Sequence, residues 1–572
     1  MARNIGVNFN GQHLVHPQAK AAVDASNLST IGNADAKRLI FLGSAEGGQP
    51  GTMYWFDNPT DAKAVFRSGN LADAAELAWS PSLDGSGAGQ VGFLRVEDAK
   101  QASLVKGNMT IQSKDWGNQT NKIQVKLEDG GLAGSKKLTA YFWPDNLTEV
   151  YDNLGPIFTI QYKGDQAYAG IDIAQDQNGK ATTLTIKVGA DSASAQTILT
   201  YPLGDGQFAE VNKLVFDINE HSDFTASVVT AGNKNINTGV LDAVAAQDIK
   251  AAPFTVTALE GDLLNQVSLS SIISVSFAET GEFPENFGYE YLQGGTSGTV
   301  PASWISKLNL LYGEGAYFLV PLTDDEAIHA EFARFIDTQT NIEGNRMLGL
   351  YGGALGESVD DAIARAITLN DSRAVVCYPG ITLKDSSSSV RTLPCYMTAA
   401  LVAGLLAGKE TGDPITLDWV NLIGLEKILT GPEIDRLIEG GVTALEFVRN
   451  SNRVGYRIAQ GVTTYQVDSN PSYREISMRI VTDELDSELE EILESGYAGG
   501  KGTVAKVALI KNDVQSFLDR KKREEVIVDY LPESVQVTLE GDKVTVTYQA
   551  MPVGAINYIL IKTTYYQQTI TA

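Results

Sequence analysis

Apolar and polar positions change their rhythm several times along the chain. Residues 1–37 alternate only at Ile5, Val7 and Phe9, a short strand pattern. A run of small and polar residues (AKAAVDASNLSTIGNADAK) follows, with little to bury. This predicts an arm without a core of its own. Residues 38–105 open an α/β order. Arg38–Gly43 (RLIFLG) reads as a buried strand, and Asp61–Phe66 and Leu71–Trp79 as helices. Leu71, Ala75, Ala78 and Trp79 share one face of the second, and Gln90–Val96 is the next strand. Residues 106–290 change to short alternating runs: Met109–Gln112, Ile123–Leu127, Leu138–Phe142, Phe158–Tyr162, Thr183–Val188 and Leu214–Ile218. Turn residues (DGG, NGK, GDG) separate them, which predicts an inserted all-β region.

The helical period returns over residues 291–440. Gly315–Leu322, Met347–Tyr351 and Ala374–Tyr378 read as strands. Ala327–Asp337 reads as a helix with Ile328, Phe332, Phe335 and Ile336 inward, and Tyr396–Ala407 as a buried helix. That order belongs to a doubly wound sheet. Residues 441–555 predict a last α+β unit. It holds paired strands at Leu445–Arg449 and Tyr456–Gln460 and helices near 483–494 and 504–522. A hairpin turns at Glu540-Gly541-Asp542-Lys543. The second arm, 556–572, alternates at Ile556, Tyr558 and Leu560 and reads as one long strand with nothing after it to pair. The fold class expected is multidomain: an α/β core, an inserted β region, a C-terminal α+β domain and two terminal arms.

At roughly 150 residues per domain, 572 residues hold three or four cores. Charged residues are 20%, below the usual ~25%, so much of the surface is expected to be covered by partners. The net charge of −26 repels phosphate backbones and anionic lipid, which argues against nucleic acid and membrane as partners. The longest apolar run, Ala399–Gly408, is far shorter than the ~20 residues that span a bilayer. No secretory pattern opens the chain, so it is expected to be made and kept in the cytoplasm unless released within a larger particle. Cys377 and Cys395 are too few for a disulfide scaffold and wrongly spaced for a metal.

Candidate chemistry is sparse. The Gly43–Gly48 turn follows a strand but lacks both glycine fingerprints of phosphate loops, and Glu46 repels anions. The histidines, His13, His16, His221 and His329, form no metal spacing. A Ser-His-Asp site needs His329, which sits one residue from the apolar face of its helix and reads as a solvent-edge histidine. No catalytic, cofactor or metal residues are expected. Charge is uneven near the end: Asp483–Glu494 holds seven acids and no base, and Lys506–Arg523 holds six bases. The plain expectation is two solvated amphipathic helices, the second with bases at its dipole-favoured end. The alternative is that Lys511, Arg520, Lys521, Lys522 and Arg523 meet a specific acidic partner.

Several collinear segments resemble one family. They are RLIFLGSAEGGQPGTMYWFDNPTDAKAVFRSGNLADAAELAW (38–79), GFLRVEDAKQAS (92–103), KDWGNQTNKIQV (114–125), VYDNLGPIFTIQYKG (150–164), EGAYFLVPL (314–322), LEFVRNSNRVGYRIAQGVTTY (445–465) and IKNDVQSFLDRKKREEVIVDYLPESVQVTLEGD (510–542), with the closing YYQQTITA. Together they resemble the tail sheath proteins of contractile bacteriophages, in particular the Twort-like or SPO1-like group. The resemblance implies a subtilisin-like core without an active site, an outward-facing insertion and no cofactor. It implies stacked hexameric rings around a tail tube that contract from a metastable state. It also implies baseplate and tail-terminator partners, and a place in the virion after assembly in the host cytoplasm. The arms, with Ile5, Val7, Phe9, Ile556, Tyr558 and Leu560, are expected to donate strands to neighbouring copies, and the bases of 504–523 to face the tube. The sheath of a bacterial injection machine is the near alternative, and an active subtilisin-like hydrolase the distant one.

Overall fold

The computed structural model describes residues 37–279, 281–384, 389–450 and 453–563, together with the backbone of two short strands, Val7–Phe9 and Gln12–Leu14. At the centre lies a sheet of nine strands: β1 (Leu39–Gly43), β2 (Met53–Phe56), β3 (Val91–Arg95), β4 (Phe318–Pro321), β5 (Leu348–Tyr351), β6 (Ala374–Tyr378), β7 (Trp419–Val420), β8 (Val442–Arg449) and β9 (Val454–Ile458). Their spatial order is β7-β9-β8-β6-β5-β4-β1-β3-β2. The strands from β8 through to β3 run parallel, and β9, β7 and β2 add antiparallel edges. The parallel strands read as unbroken apolar runs because both of their faces are covered. In β1, Leu39 and Phe41 enter one core, and Ile40 and Leu42 the other.

Helices cover the two faces. On one lie α1 (Pro59–Phe66), α2 (Asn70–Trp79) and α5 (Cys395–Ala407). On the other lie α3 (Glu326–Asn341), α4 (Val359–Leu369) and α6 (Gly431–Glu439). Helix α5 is apolar all round because sheet and helix bury it from opposite sides. Gly404 lets it close on α2: a Cβ there would meet the Ala78 backbone at 2.6 Å. Ser358 and Asp361 start α4 with a reciprocal capping box, as Thr430 and Glu433 start α6.

The insertion between β3 and β4 holds two nested cores. An inner one gathers residues of 102–154 and 263–292, and an outer one residues of 157–258. The chain leaves and re-enters at one point, where Ala258 N–H donates to Gly155 O at 2.8 Å. Leu214–Ile218, expected as a strand, is part of a helix, Val211–Glu220. Val211, Leu214, Val215 and Ile218 bury one helical stripe, a period that a five-residue window hides.

The last unit holds α7 (Ile476–Tyr497), α8 (Val504–Arg523), the hairpin Gln536–Glu540/Lys543–Thr547 and the strand pair Ile527–Tyr530/Ala550–Pro552. The boundary expected at 441 falls too early. Strands β8 and β9 belong to the central sheet, so that layer continues to Ile458. No helix among the described residues is long and apolar enough to cross a membrane.

The arms also differ from expectation. Val7–Phe9 does have a neighbour in sequence: it pairs antiparallel with Gln12–Leu14. Ile5 lies outside the described residues. Residues 553–563 carry no strand, since a strand exists only against a partner, and 564–572 lie outside the described residues.

Because the outer core closes at its own entry point, replacing residues 157–256 with a short Gly-Ser turn is expected to leave the rest folded, with the helix signal by circular dichroism reduced only by the loss of Val211–Glu220. Collapse of the whole chain would contradict nested, separate cores.

Candidate functional site

The sequence singles out α8, and the structure divides its bases. Ile510, Val514, Phe517 and Leu518 form the buried stripe of α8, and Lys521 continues that stripe by one turn. Its side chain is only 4% exposed. Lys521 Nζ donates to Glu484 Oε1 at 2.8 Å and to Glu488, both on α7. Burial opposes the charge, but these two carboxylates outweigh it and push the Lys521 ammonium up to about 12. Arg520 pairs with Glu488 at 2.8 Å, and Lys522 with Asp529 at 2.7 Å, both about half exposed. Such surface pairs contribute little stability. Lys511 and Arg523 have no ion pair among the described residues.

The acidic run on α7 is partly internal. Asp483, 1% exposed, accepts from Arg373 Nη2 at 2.6 Å and Nη1 at 2.8 Å, from Tyr317 Oη at 2.9 Å, and from Arg479 one turn back. Arg373 directly precedes β6, and Tyr317 directly precedes β4. Burial by itself raises the Asp483 carboxyl. The Arg373 hydrogen bond and the charges of Arg479 and Arg373 overcome it and hold the group below the usual carboxylate range. Arg346, just before β5, forks onto Glu490 at 2.7 and 2.9 Å. One face of α7 is thus fixed to the starting ends of three parallel strands. The sequence holds a hint of this in the Arg479/Asp483 spacing. The distant partners Arg373 and Tyr317 leave no local signal.

The remaining candidates resolve into structure. The Gly43–Gly48 turn has its amides occupied: Ala45 donates to Glu97, Glu46 to Ser68 O, Gly47 to Phe66 O and Gly48 to Asp115. Buried Arg95 holds the other side, donating to the Gly47 and Gly48 carbonyls. His329 is not at a solvent edge; it is 1% exposed. Its Nε2 lies 2.8 Å from Thr323 O and its Nδ1 3.2 Å from Arg365 Nη1, so both ring nitrogens are engaged, neither by a serine. Cys377 and Cys395 are free and buried. Among the described residues no group of His, Cys, Asp and Glu could hold a metal ion.

Replacing Asp483 with Asn is expected to destabilise the chain by about 3–5 kcal/mol, because two largely covered arginines lose their buried counter-charge. A depressed carboxylate stabilises the fold above its ordinary 3.8 and loses that contribution as pH falls through the lower folded value. Urea titrations from pH 7 to 2 should therefore show a steeper acid loss in the parent than in Asp483→Asn. A change below 1 kcal/mol would contradict the role of the cluster.

Comparison with known proteins bears on what this arrangement serves. Residues 309–464 match the family described as phage tail sheath protein central domain. That match ends close to β9, past the boundary expected at 441. The chain is 41% identical over 566 residues to a putative tail sheath protein of Enterococcus phage phiEF24C, covering 99% of each. It is 37% identical to the tail sheath protein of Bacillus phage SP01, covering 99% of this chain and 98% of that one. A solved sheath tail protein from Desulfitobacterium hafniense shares the fold at 12% identity, with a TM-score of 0.58 over 95% of this chain and 97% of that one. With relatives this similar from end to end, the chain belongs to the phage tail sheath proteins and is a structural component of the contractile tail in the virion.

Proposed function

We propose that this protein polymerises as stacked hexameric rings around a tail tube, waits in a metastable extended state, and contracts to drive the tube through the host envelope. Assembly takes place in the host cytoplasm, with baseplate and tail-terminator proteins at the two ends. Ring number and end partners rest on the family. Linkage between copies rests on one observation: Ile556, Tyr558, Ile559, Leu560 and Ile561 are 80%, 79%, 79%, 94% and 85% exposed. An apolar stretch left this open in one subunit calls for cover by another. The hairpin Gln536–Thr547 stands as a two-stranded sheet, with outer edges unpaired among the described residues. Strand addition at such an edge satisfies backbone groups on both chains. A head-to-tail contact of this kind extends into a helix when it does not close.

The first arm has the same role in this reading, with its hairpin strand Val7–Phe9 carrying the link. The insertion faces outward, in keeping with its separate cores and the single entry point of the outer one. Toward the tube we place Lys511 and Arg523, two of the three bases of α8, with Lys506, that have no ion pair among the described residues. Arg520 and Lys522, half exposed, can exchange partners there. Lys521 is committed within the subunit. The central layer keeps the subtilisin-like path that the family implies, and the engaged nitrogens of His329 support a non-catalytic reading of it.

Deleting residues 556–572 is expected to give a folded monomer with an unchanged melting temperature that forms no cylinders by electron microscopy. The described cores all lie between residues 39 and 553, so the arm adds linkage rather than stability. Normal cylinders from the truncated chain would overturn the linkage.

A further inference from the structure

At the carboxyl ends of the parallel strands, the ends opposite those that hold α7, four elements meet on one guanidinium. Arg365 of α4 donates from Nη1 to Asp324 O at 3.0 Å, in the loop after β4, and to His329 Nδ1 of α3 at 3.2 Å. Its Nη2 and Nε reach Glu357 Oε1, in the loop after β5, at 2.8 and 3.2 Å. The Glu357 carbonyl in turn accepts from Tyr378 Oη of β6 at 2.9 Å. We propose that this His329–Arg365–Glu357 cluster is an acid-release latch: a proton on the imidazole breaks the tie between α3 and α4 and loosens that face of the central layer while α7 stays docked.

The geometry admits only the neutral ring. Nε2 faces a carbonyl and donates to it; Nδ1 faces a guanidinium and accepts from it. One donor and one acceptor is the inventory of neutral imidazole, whereas imidazolium has two donors. A second proton would therefore point at Arg365, donor against donor and cation against cation. Every element packed on the ring contributes charged or titratable groups. The loop after β4 brings Asp324 and Asp325, α3 itself Glu326 and Arg334, α4 Arg365, the loop after β5 Glu357, and β5 the Tyr351 ring at 5.0 Å. The Asp325 and Asp324 charges draw a proton toward the ring, but its two nitrogens face Thr323 O and Arg365, and the Glu357 carboxylate is already taken by Arg365. A cavity of about 230 Å³ between α3 and α4, walled by Ala330, Ala333 and Thr368 beside His329, gives the released side chains room to turn.

Burial first, and then the Arg365 charge, lower the histidine to about 4 from its ordinary 6.5, against a raising contribution from the Thr323 hydrogen bond. For a depressed histidine the unfolded chain takes up the proton first. Stability is complete above pH 6.5, falls as pH drops toward 4, and is flat below. By pH 5 that gap lowers the folding equilibrium constant roughly 30-fold.

The test uses the full chain and His329→Gln, whose amide offers one donor and one acceptor without titrating. Urea unfolding at pH 7.5 and pH 5.0 should show the parent losing roughly 30-fold more of its folding constant than the variant. Hydrogen exchange at pH 5.0, corrected for intrinsic rates, should rise in α3 and α4 of the parent and not in α7. Equal pH dependence of the two proteins, or a uniform rise in exchange, would overturn the latch. Should His329→Gln not fold, a chain with His13, His16 and His221 replaced by Gln leaves one imidazole for NMR titration. A ring still neutral at pH 5.0 supports the latch, and one titrating near 6.5 overturns it.

Discussion

A buried carboxylate fixes how this subunit is put together. Asp483 sits about a third of the way along α7, out of water, with Arg373, Arg479 and Tyr317 around it. Desolvated ion clusters of this sort stabilise poorly by comparison with apolar packing, but breaking one is expensive. Their value lies in allowing a single arrangement. Here the arrangement sets the angle and register of one helix against the starting ends of β4, β5 and β6. Helix α7 then serves two cores at once. Ile476 and Ile480 pack with the central layer, and Val481, Leu485 and Leu489 with the C-terminal unit. At ~1.5 Å per residue, its 22 residues make a rod of roughly 33 Å shared between the two bodies.

That division of labour suits a sheath. Contraction requires subunits to turn against one another without losing their connections. A body made rigid by a shared helix can rotate as a unit, while chain that makes few contacts with it absorbs the change. The second arm fits the latter description: among the described residues, 553–563 form no strand, and Asn557 donates to Glu475 on the body. The charged groups divide in the same way. Lys521, Glu484 and Asp483 are committed inside the subunit, and Lys511 and Arg523 have no ion pair among the described residues.

Much of this fold is written locally. The unbroken apolar runs of β1, β4 and β6 announce parallel strands buried on both faces, and the acidic turn Glu540–Lys543 announces its hairpin. The errors come where two periods fit one short window or where pairing is distant. Leu214–Ile218 alternates over five residues, yet its burial follows the helical stripe begun at Val211. Strands β8 and β9 look like the start of a new unit because they follow a helix and pair with each other. Only the parallel pairing of β8 with β6 reveals the sheet they extend. Among the site residues, Lys521 was legible in principle, as the next position of the stripe Val514, Phe517 and Leu518. His329 and Asp483 were not, since the groups that bury them come from strands and loops far away in sequence.

The central claim is that the central layer and the C-terminal helices form one body that stays whole through contraction. Cryo-electron microscopy of the assembled sheath, extended and contracted, tests it directly. The account predicts the Asp483–Arg373 and Glu490–Arg346 contacts in both states, with the change in shape confined to the arms and to contacts between copies. An α7 parted from the starting ends of β4, β5 and β6 in either state would contradict it.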